Sequence, residues 1–411
     1  MGQTSIPTGS PAGNRLFNAA LFAEAIRRNS MTNLLTGDAP KTIKKSKVDP
    51  RKQTSAGTPI VRATDLTKEK GDEITVDLYH QLSGKPVMGD RPLAGRVEGL
   101  TSSQFSLKIN QGRKAVGSGG KMTQQRTKQN LKSIAKTMIG PWWSRLDDQL
   151  TMVHLAGARG DDVSADWNVP LASDPEFAEI LVNPLRAPTY DRHVIGGDAT
   201  SFGDIDSADI FSMKEVDKLR LLTDEMAYPL QPIKYENDPG AEEDPFYVLL
   251  VSPRMWHDFT TSDDGKVLRE LQAAAIKRGS EFKHPIFRGD CAMWKNILVR
   301  KMSRPITFNA GSTVAVSQNN NDATQTSDTA GVKIERGLLL GAQALITAYG
   351  RHGTKESGGY HFSMHTETVD HGNAQEHSIA WINGKAKTQF RGSDGRLNDH
   401  GVIALDCAVS G

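Results

Sequence analysis

Hydrophobic positions change their period several times along the chain, and each change marks an element. Leu16, Phe17, Leu21, Phe22 and Ile26 recur at helical spacing within residues 14–28, which predicts a short amphipathic helix. The opening 58 residues around it carry Pro and Gly clusters and a basic run at 41–47. They cannot form a core alone and read as an arm laid on another surface or another subunit. Two segments then alternate, first Ile74, Val76 and Leu78, later Phe105, Leu107 and Ile109. Alternation marks half-buried strands. The polar stretch between them holds Gly84, Gly89, Gly95 and Gly99, so the pair predicts a long projecting hairpin. Two strands bury too little apolar surface to hold themselves together in water, so the body of the protein or a neighbour must cover the apolar face.

Over residues 121–156 the spacing becomes helical through Leu131, Ile134, Ala135, Met138, Leu146, Leu150 and Val153. This is the longest predicted helix. Pro141, directly after Gly140, lacks an amide donor and is expected to kink the helix or divide it. Residues 157–212 are irregular and acidic, which suggests surface loops, and helical periodicity returns at 214–226. A buried strand is expected at 246–251, helices from Pro253 and over 266–278, and a strand at 297–300. The polar tract 317–329 predicts an exposed loop. Residues 332–349 read as a strand or turn leading into a helix of small residues. Ile403, Leu405, Cys407 and Val409 alternate and make the tail β-rich. No internal repeat and no long linker separates an independent C-terminal unit. The fold class is α+β, with one mixed α/β body and extended appendages.

Composition permits a sizeable core: 37% of the 411 residues are hydrophobic, with 38 glycines besides. The first 14 residues show no secretory pattern. The longest apolar stretch, 337–349, falls short of the roughly 18–20 residues that cross a bilayer, so no membrane partner is expected. Cys291 and Cys407 are far apart and lack the paired spacing of a zinc or redox motif, a usage that suits a reducing cytoplasm. Net charge is only +2, yet residues 1–136 carry a net +13 and residues 159–266 a net −14. Segments of opposite sign attract copies of the chain to one another or pair within one subunit. Arg113, Lys114, Lys121, Arg126, Lys128, Lys132 and Lys136 follow one another with no acidic residue between. They predict a positive rod at the front of the long helix, facing either nucleic acid or an acidic neighbour.

The residues offer no catalytic constellation. The glycines at 117, 119 and 120 before Lys121 suggest a phosphate loop. However, no Gly stands five before Gly120, and Met122 occupies the place of the magnesium-binding hydroxyl. A hinge before a helix is the simpler reading, and no cofactor is expected. His352, His361, His365, His371 and His377 cluster late in the chain. The Glu of zinc proteases does not follow His361, and the surroundings look extended, so scattered histidines are expected rather than a metal site. Asp147 with Asp148, and Asp161 with Asp162, lack an oriented nucleophile and read as solvated acidic faces. No Gly-x-Ser-x-Gly elbow occurs.

Several strings carry a resemblance. They are Gly71-Asp72-Glu73, Pro92-Leu93-Ala94-Gly95-Arg96-Val97-Glu98-Gly99-Leu100, Ile109-Asn110-Gln111-Gly112-Arg113 and Lys121-Met122-Thr123-Gln124-Gln125-Arg126-Thr127. Leu155-Ala156-Gly157-Ala158-Arg159-Gly160, Leu340-Gly341-Ala342-Gln343-Ala344 and Asp370-His371-Gly372-Asn373 follow. Gly384-Lys385-Ala386-Lys387-Thr388 and Asp399-His400-Gly401-Val402-Ile403 complete the set. In this order and spacing the chain resembles tailed-phage major capsid proteins of the Hong Kong 97 type fold, in particular the family typified by coliphage N-four-like podoviruses.

The resemblance implies an N-terminal arm over 1–60, an extended loop over 61–118 and a spine helix over 119–156. It further implies a peripheral domain over 157–212 and 332–411, and an axial domain over 213–331. It implies self-assembly through hexamers and pentamers into an icosahedral shell around double-stranded DNA, with scaffold, cement and portal proteins as further partners. The product is the virion shell, made in the host cytoplasm, and no catalytic residue is required. Some members of this fold cross-link Lys to Asn between subunits, and no matching set stands here. A decoration or adaptor protein is the rival reading, and a hydrolase built on the late histidines a more distant one.

Overall fold

The computed structural model describes residues 31–37, 57–63, 71–80, 82, 84–127, 130–235, 246–262, 265–282, 285–287, 289–302, 304–319, 325–350 and 362–410. The helix expected at 14–28, the basic run at 41–47, Lys128, His352 and His361 lie outside them.

The chain begins, within the described residues, with α1 (Met31–Leu35), β1 (Thr36–Gly37) and β2 (Ile60–Ala63). Met31 and Leu35 are buried, and the Thr32 amide and hydroxyl both donate to Asp148, at 3.0 and 2.8 Å. This part of the expected arm is therefore docked on its own subunit.

β3 (Glu73–Tyr79) and β4 (Ser102–Lys108) form the expected hairpin, with Ile74 opposite Leu107 and Val76 opposite Phe105. The body of the protein covers the base. Phe105 and Leu107 pack with Ile346, Ala348, Ala386 and Phe390. Asn183 clamps Lys108 with its side chain, accepting from the Lys108 amide and donating to the Lys108 carbonyl, both at 2.9 Å.

β5 (Asn110–Gly120) leads into α2 (Lys121–Arg126) and α3 (Leu131–Ala156). The helical segment does divide, but not at Pro141. The break falls at 127–130, where Thr127 is extended and the Asn130 side chain caps α3 by accepting from the Ser133 amide at 3.1 Å. Pro141 stays inside α3 because the helix is held from outside. Trp142 packs against Trp381 with ring centroids 6.1 Å apart, and Trp143 against Phe362 at 4.8 Å. Packing of two partly buried indoles offsets the one hydrogen bond that a proline removes.

Residues 157–212 are largely irregular, with only α4 (Phe177–Leu181) and β6 (His193–Ile195) besides short 3₁₀ turns. They are more than surface loops, since Val169, Phe202, Ile205 and Phe211 are buried. The chain continues through α5 (Met213–Glu225), β7 (Tyr247–Val251), α6 (Pro253–Ser262), α7 (Gly265–Phe282), β8 (Cys291–Trp294), β9 (Ile297–Lys301) and β10 (Ile306–Phe308). The tract expected as a loop at 317–329 is partly strand: β11 (Thr313–Ser317) pairs antiparallel with β12 (Gln325–Thr329).

The small-residue helix expected within 332–349 does not form. That stretch is β13 (Ile334–Leu340) and β14 (Leu345–Tyr349). Every residue of both strands is buried, and a strand covered on both faces loses its alternation, so periodicity cannot separate it from a buried helix. The tail then runs β15 (Phe362–Val369), β16 (Ala374–Lys387), β17 (Gln389–Arg391), β18 (Leu397–Asp399) and β19 (Val402–Ala408).

Two sheets organise these strands. One has the order β1-β2-β14-β16-β15, with β5 also on β16, and α3 lies across it. The other has the order β6-β19-β13-β7-β9-β8, with β10 on β13. Its alternate residues serve two cores. Val248, Leu250, Leu298, Leu338 and Leu340 face one, and Leu249, Val251, Val299 and Leu339 face the other. This second sheet takes strands from 157–212, 213–331 and 332–411 alike, so the boundaries drawn at 212 and 331 cut across it.

Candidate assembly surfaces

Beyond its paired base the hairpin has no partner strand among the described residues. From 82 to 100 the described residues form turns and extended chain, with Gly89 and Gly95 at φ +68° and +78°. Such positive angles favour glycine, which has no Cβ to clash. The Gly84 amide donates to the Glu98 carboxylate at 2.7 Å and draws the two limbs together. Tyr79, Leu82, Met88, Leu93, Val97 and Leu100 are each 64–78% exposed. Single exposed apolar residues are ordinary on a protein surface, but six along one projection mark a contact surface.

The predicted basic residues do not form one rod. Arg113 and Lys114 are exposed on β5, and as adjacent strand positions they point to opposite faces of the sheet. Lys114 Nζ lies 5.4 Å from the centre of the Trp142 ring on α3. Lys121 is exposed at the start of α2, whereas Arg126 and Lys132 are half-buried. Lys136 belongs to α3, its side chain outside the described set. The charge is thus spread over a strand and two helices separated by a break.

The glycine-rich segment before α2 is the end of β5 and is held by the protein itself. The Lys121 amide donates to the Asn373 carbonyl at 3.1 Å and lies 3.3 Å from its side-chain oxygen. Of the late histidines, His365 is exposed and His377 is buried, with Nδ1 2.9 Å from the Thr366 hydroxyl; His371 lies in the 370–373 turn at φ +51°. Among the described residues no three His, Cys, Asp or Glu side chains converge. The acidic pairs are structural. Asp147 binds Lys385 at 2.8 Å, Asp148 holds Thr32, and Asp161 and Asp162 accept from the Asn309 amide and the Trp167 indole.

The sequence reading missed a set of buried charges that joins α3 to both sheets. Arg336 on β13 forms a bidentate pair with Asp406 on β19, and His193 Nε2 lies 2.7 Å from the same carboxylate. Burial alone would raise the Asp406 pKa, but Arg336 and His193 together hold it far below the usual carboxylate range. Lys385 donates to the Asp147 carbonyl and the Thr151 hydroxyl on α3, at 2.8 and 2.6 Å. Lys387 donates to Asp399 at 2.8 Å, and burial lowers its pKa. Asn383, Lys385 and Lys387 alternate along one face of β16. In sequence such a face reads as solvent-exposed; here it is the face that carries α3.

Two sheets, a long helix laid across the first and a projecting hairpin with exposed apolar residues suit a subunit that packs against neighbours. The match to the phage capsid protein family model runs over residues 5–411, and the chain belongs to that family. Its fold is similar to the capsid of Ralstonia phage GP4, with a TM-score of 0.74 and 26% identity over 100% of this chain and 99% of that one. It also resembles the capsid of cyanophage Pam1, with a TM-score of 0.63 and 18% identity over the whole of both chains. The major capsid protein of Pseudomonas phage KPP25 is 32% identical over 105 residues, which are 25% of this chain and 28% of that relative. The chain is a tailed-phage major capsid protein with the Hong Kong 97 type fold. The family match is to phage capsid proteins as a whole and does not reach the N-four-like subgroup.

Proposed function

We propose that copies of this chain assemble through pentamers and hexamers into an icosahedral shell enclosing double-stranded DNA, within the cytoplasm of the host bacterium. The observation that carries this reading is the hairpin. Its base is fastened by Phe105, Leu107 and the Asn183 clamp, while its outer half offers apolar side chains that none of the described residues covers. A neighbouring copy is the natural cover, because every subunit of a closed lattice meets the same surfaces on the next.

In this reading 1–60 is the arm, 61–118 the extended loop and 119–156 the spine. Residues 213–331 form the axial domain at the centre of each capsomer, and 157–212 with 332–411 form the peripheral domain. Arg113, Lys114, Lys121, Arg126, Lys128, Lys132 and Lys136 face packaged DNA or an acidic neighbour. No catalytic step is assigned. Scaffold, cement and portal proteins remain partners by analogy with the family.

Negative-stain electron microscopy of the protein expressed alone, and again with any scaffold encoded beside its gene, tests the reading. Closed shells or capsomer tubes are expected. A soluble monomer under both conditions would overturn it in favour of a decoration or adaptor protein that binds a lattice without forming one.

A further inference from the structure

Arg192 is only 3% exposed, at the entrance to β6. Its Nη1 donates to the Met226 sulfur and its Nη2 to the Tyr228 carbonyl, while Nε has no hydrogen-bond partner. Among the described residues no carboxylate pairs with it. Asp191 beside it is exposed, and Asp399 is committed to Lys387 and Gln389, at 2.8 and 2.6 Å. The contrast with Arg336, equally buried but held by two bonds to Asp406, is direct. A buried cation without a directly paired carboxylate is costly, and burial lowers the Arg192 pKa to about 10 against the more distant attraction of Asp399 and Asp191.

Arg192 forms part of the wall of a cleft of about 630 Å³ between β6 and α5. Lys218 adds a second cation to the wall, and His193 in the same wall is already paired with Asp406. The acids of the wall, Asp191 and Glu225, are exposed and solvated. Tyr190 and Leu221, 53% and 59% exposed, also line the cleft.

We propose that this cleft receives an Asp or Glu side chain from a second copy of the chain, which supplies the directly paired carboxylate that the described residues do not give Arg192. The inference rests on the shell reading, because a lattice brings a second copy to each face. The chain also offers carboxylates in excess, with a net charge of −14 over residues 159–266. Apolar residues around a desolvated ion pair exclude water from it, and Tyr190 and Leu221 are placed to do so.

The test replaces Tyr190 with a photo-crosslinking phenylalanine derivative in shells assembled from an equal mixture of isotopically light and heavy chains. Cross-links joining a light to a heavy peptide that contains Asp or Glu are expected in shells and are expected to vanish on dissociation. Links confined to one chain, for example to the acidic residues 236–245, would overturn the proposal, as would shells without any link. Charge at the rim provides a second arm. Leu221→Asp is expected to cut the assembled fraction about tenfold through like-charge repulsion, and Leu221→Lys to leave it within about twofold. Equal effects of the two substitutions would also overturn the proposal. Failure of the wild-type chain to form shells counts against the shell reading instead.

Discussion

Arg336 and Asp406 face each other across adjacent strands and share two parallel bonds, Nε to Oδ1 at 2.7 Å and Nη2 to Oδ2 at 2.6 Å. The remaining nitrogen, Nη1, donates at 2.8 Å to the carbonyl of Ala156, the last residue of α3. One side chain thus joins two strands to the end of the long helix. Removing Asp406 leaves the Arg336 cation buried without its carboxylate, and removing Arg336 leaves the buried Asp406 carboxylate with His193 alone. Arg336→Met and Asp406→Asn are each expected to cost about 3–5 kcal/mol in denaturant unfolding of the unassembled subunit. The double substitution Arg336→Met with Asp406→Leu should cost clearly less than the two single costs added together. Additive losses would mean that the pair is not coupled.

Acid should weaken the subunit in two stages. Burial pushes the pKa of His154 and of His400 down to about 4. The unfolded chain, with histidines near 6.5, therefore takes up protons that the folded chain refuses. Stability falls as pH drops from about 6.5 towards 4, by up to about 3 kcal/mol for each histidine. Asp406 acts later. Its carboxylate is held below the unfolded value of about 3.9, so its contribution is complete above that pH and is lost on further acidification. Melting temperatures across this range should drop, and His400→Leu should flatten the first stage. An unchanged first stage in that variant would remove His400 from the explanation.

Gly157 ends α3 at φ +65°, and a Cβ there would stand 2.2 Å from the Arg186 carbonyl oxygen. Ala at this position meets both an unfavourable backbone angle and a backbone clash. Gly157→Ala should destabilise the subunit by at least about 1–3 kcal/mol. A thermal shift too small to measure would show that the 186–187 segment can move aside.

Replacing residues 82–100 with a short turn should separate assembly from folding. β3 and β4 keep their register and their contacts with Phe390 and Ala386. The shortened chain should melt near the parent and give no shells by sedimentation. Shell formation at parental yield would show that the exposed apolar residues of the hairpin are dispensable.

Neutralising the exposed cations separates the two partners open to them. With Lys114→Gln and Lys121→Gln together, shells should still form while retained DNA becomes more sensitive to salt, if these residues meet phosphate. Loss of shells at unchanged subunit stability would place them against an acidic neighbour.

Much of the fold was legible because its strongest signals were local. Alternation located β3 and β4, and helical spacing located α3, α5 and α7. The failures share a cause in tertiary context. Pro141 does not break α3 because Trp142 and Trp143 are anchored on the first sheet, which the local pattern around the proline cannot show. β13 and β14 lost their period because both faces of each strand are covered. The assembly surfaces were partly legible, since the hairpin announced itself as a projection in need of cover. The cleft at Arg192 was not, because an arginine without a directly paired carboxylate cannot be told from a paired one until distant segments such as 226–228 and 398–399 are brought to it.

The junction between hairpin and body also has a mechanical meaning. β5 leaves the hairpin directly after β4 and is bonded to β16 from Asn110 to Gly120, antiparallel and with one irregularity near Glu376. A pull along β5 itself runs parallel to that ladder. Its bonds then share the load side by side, as in a lap joint, instead of opening one after another as a zipper does. The junction is therefore stiff to a pull along β5 and yielding to one across it.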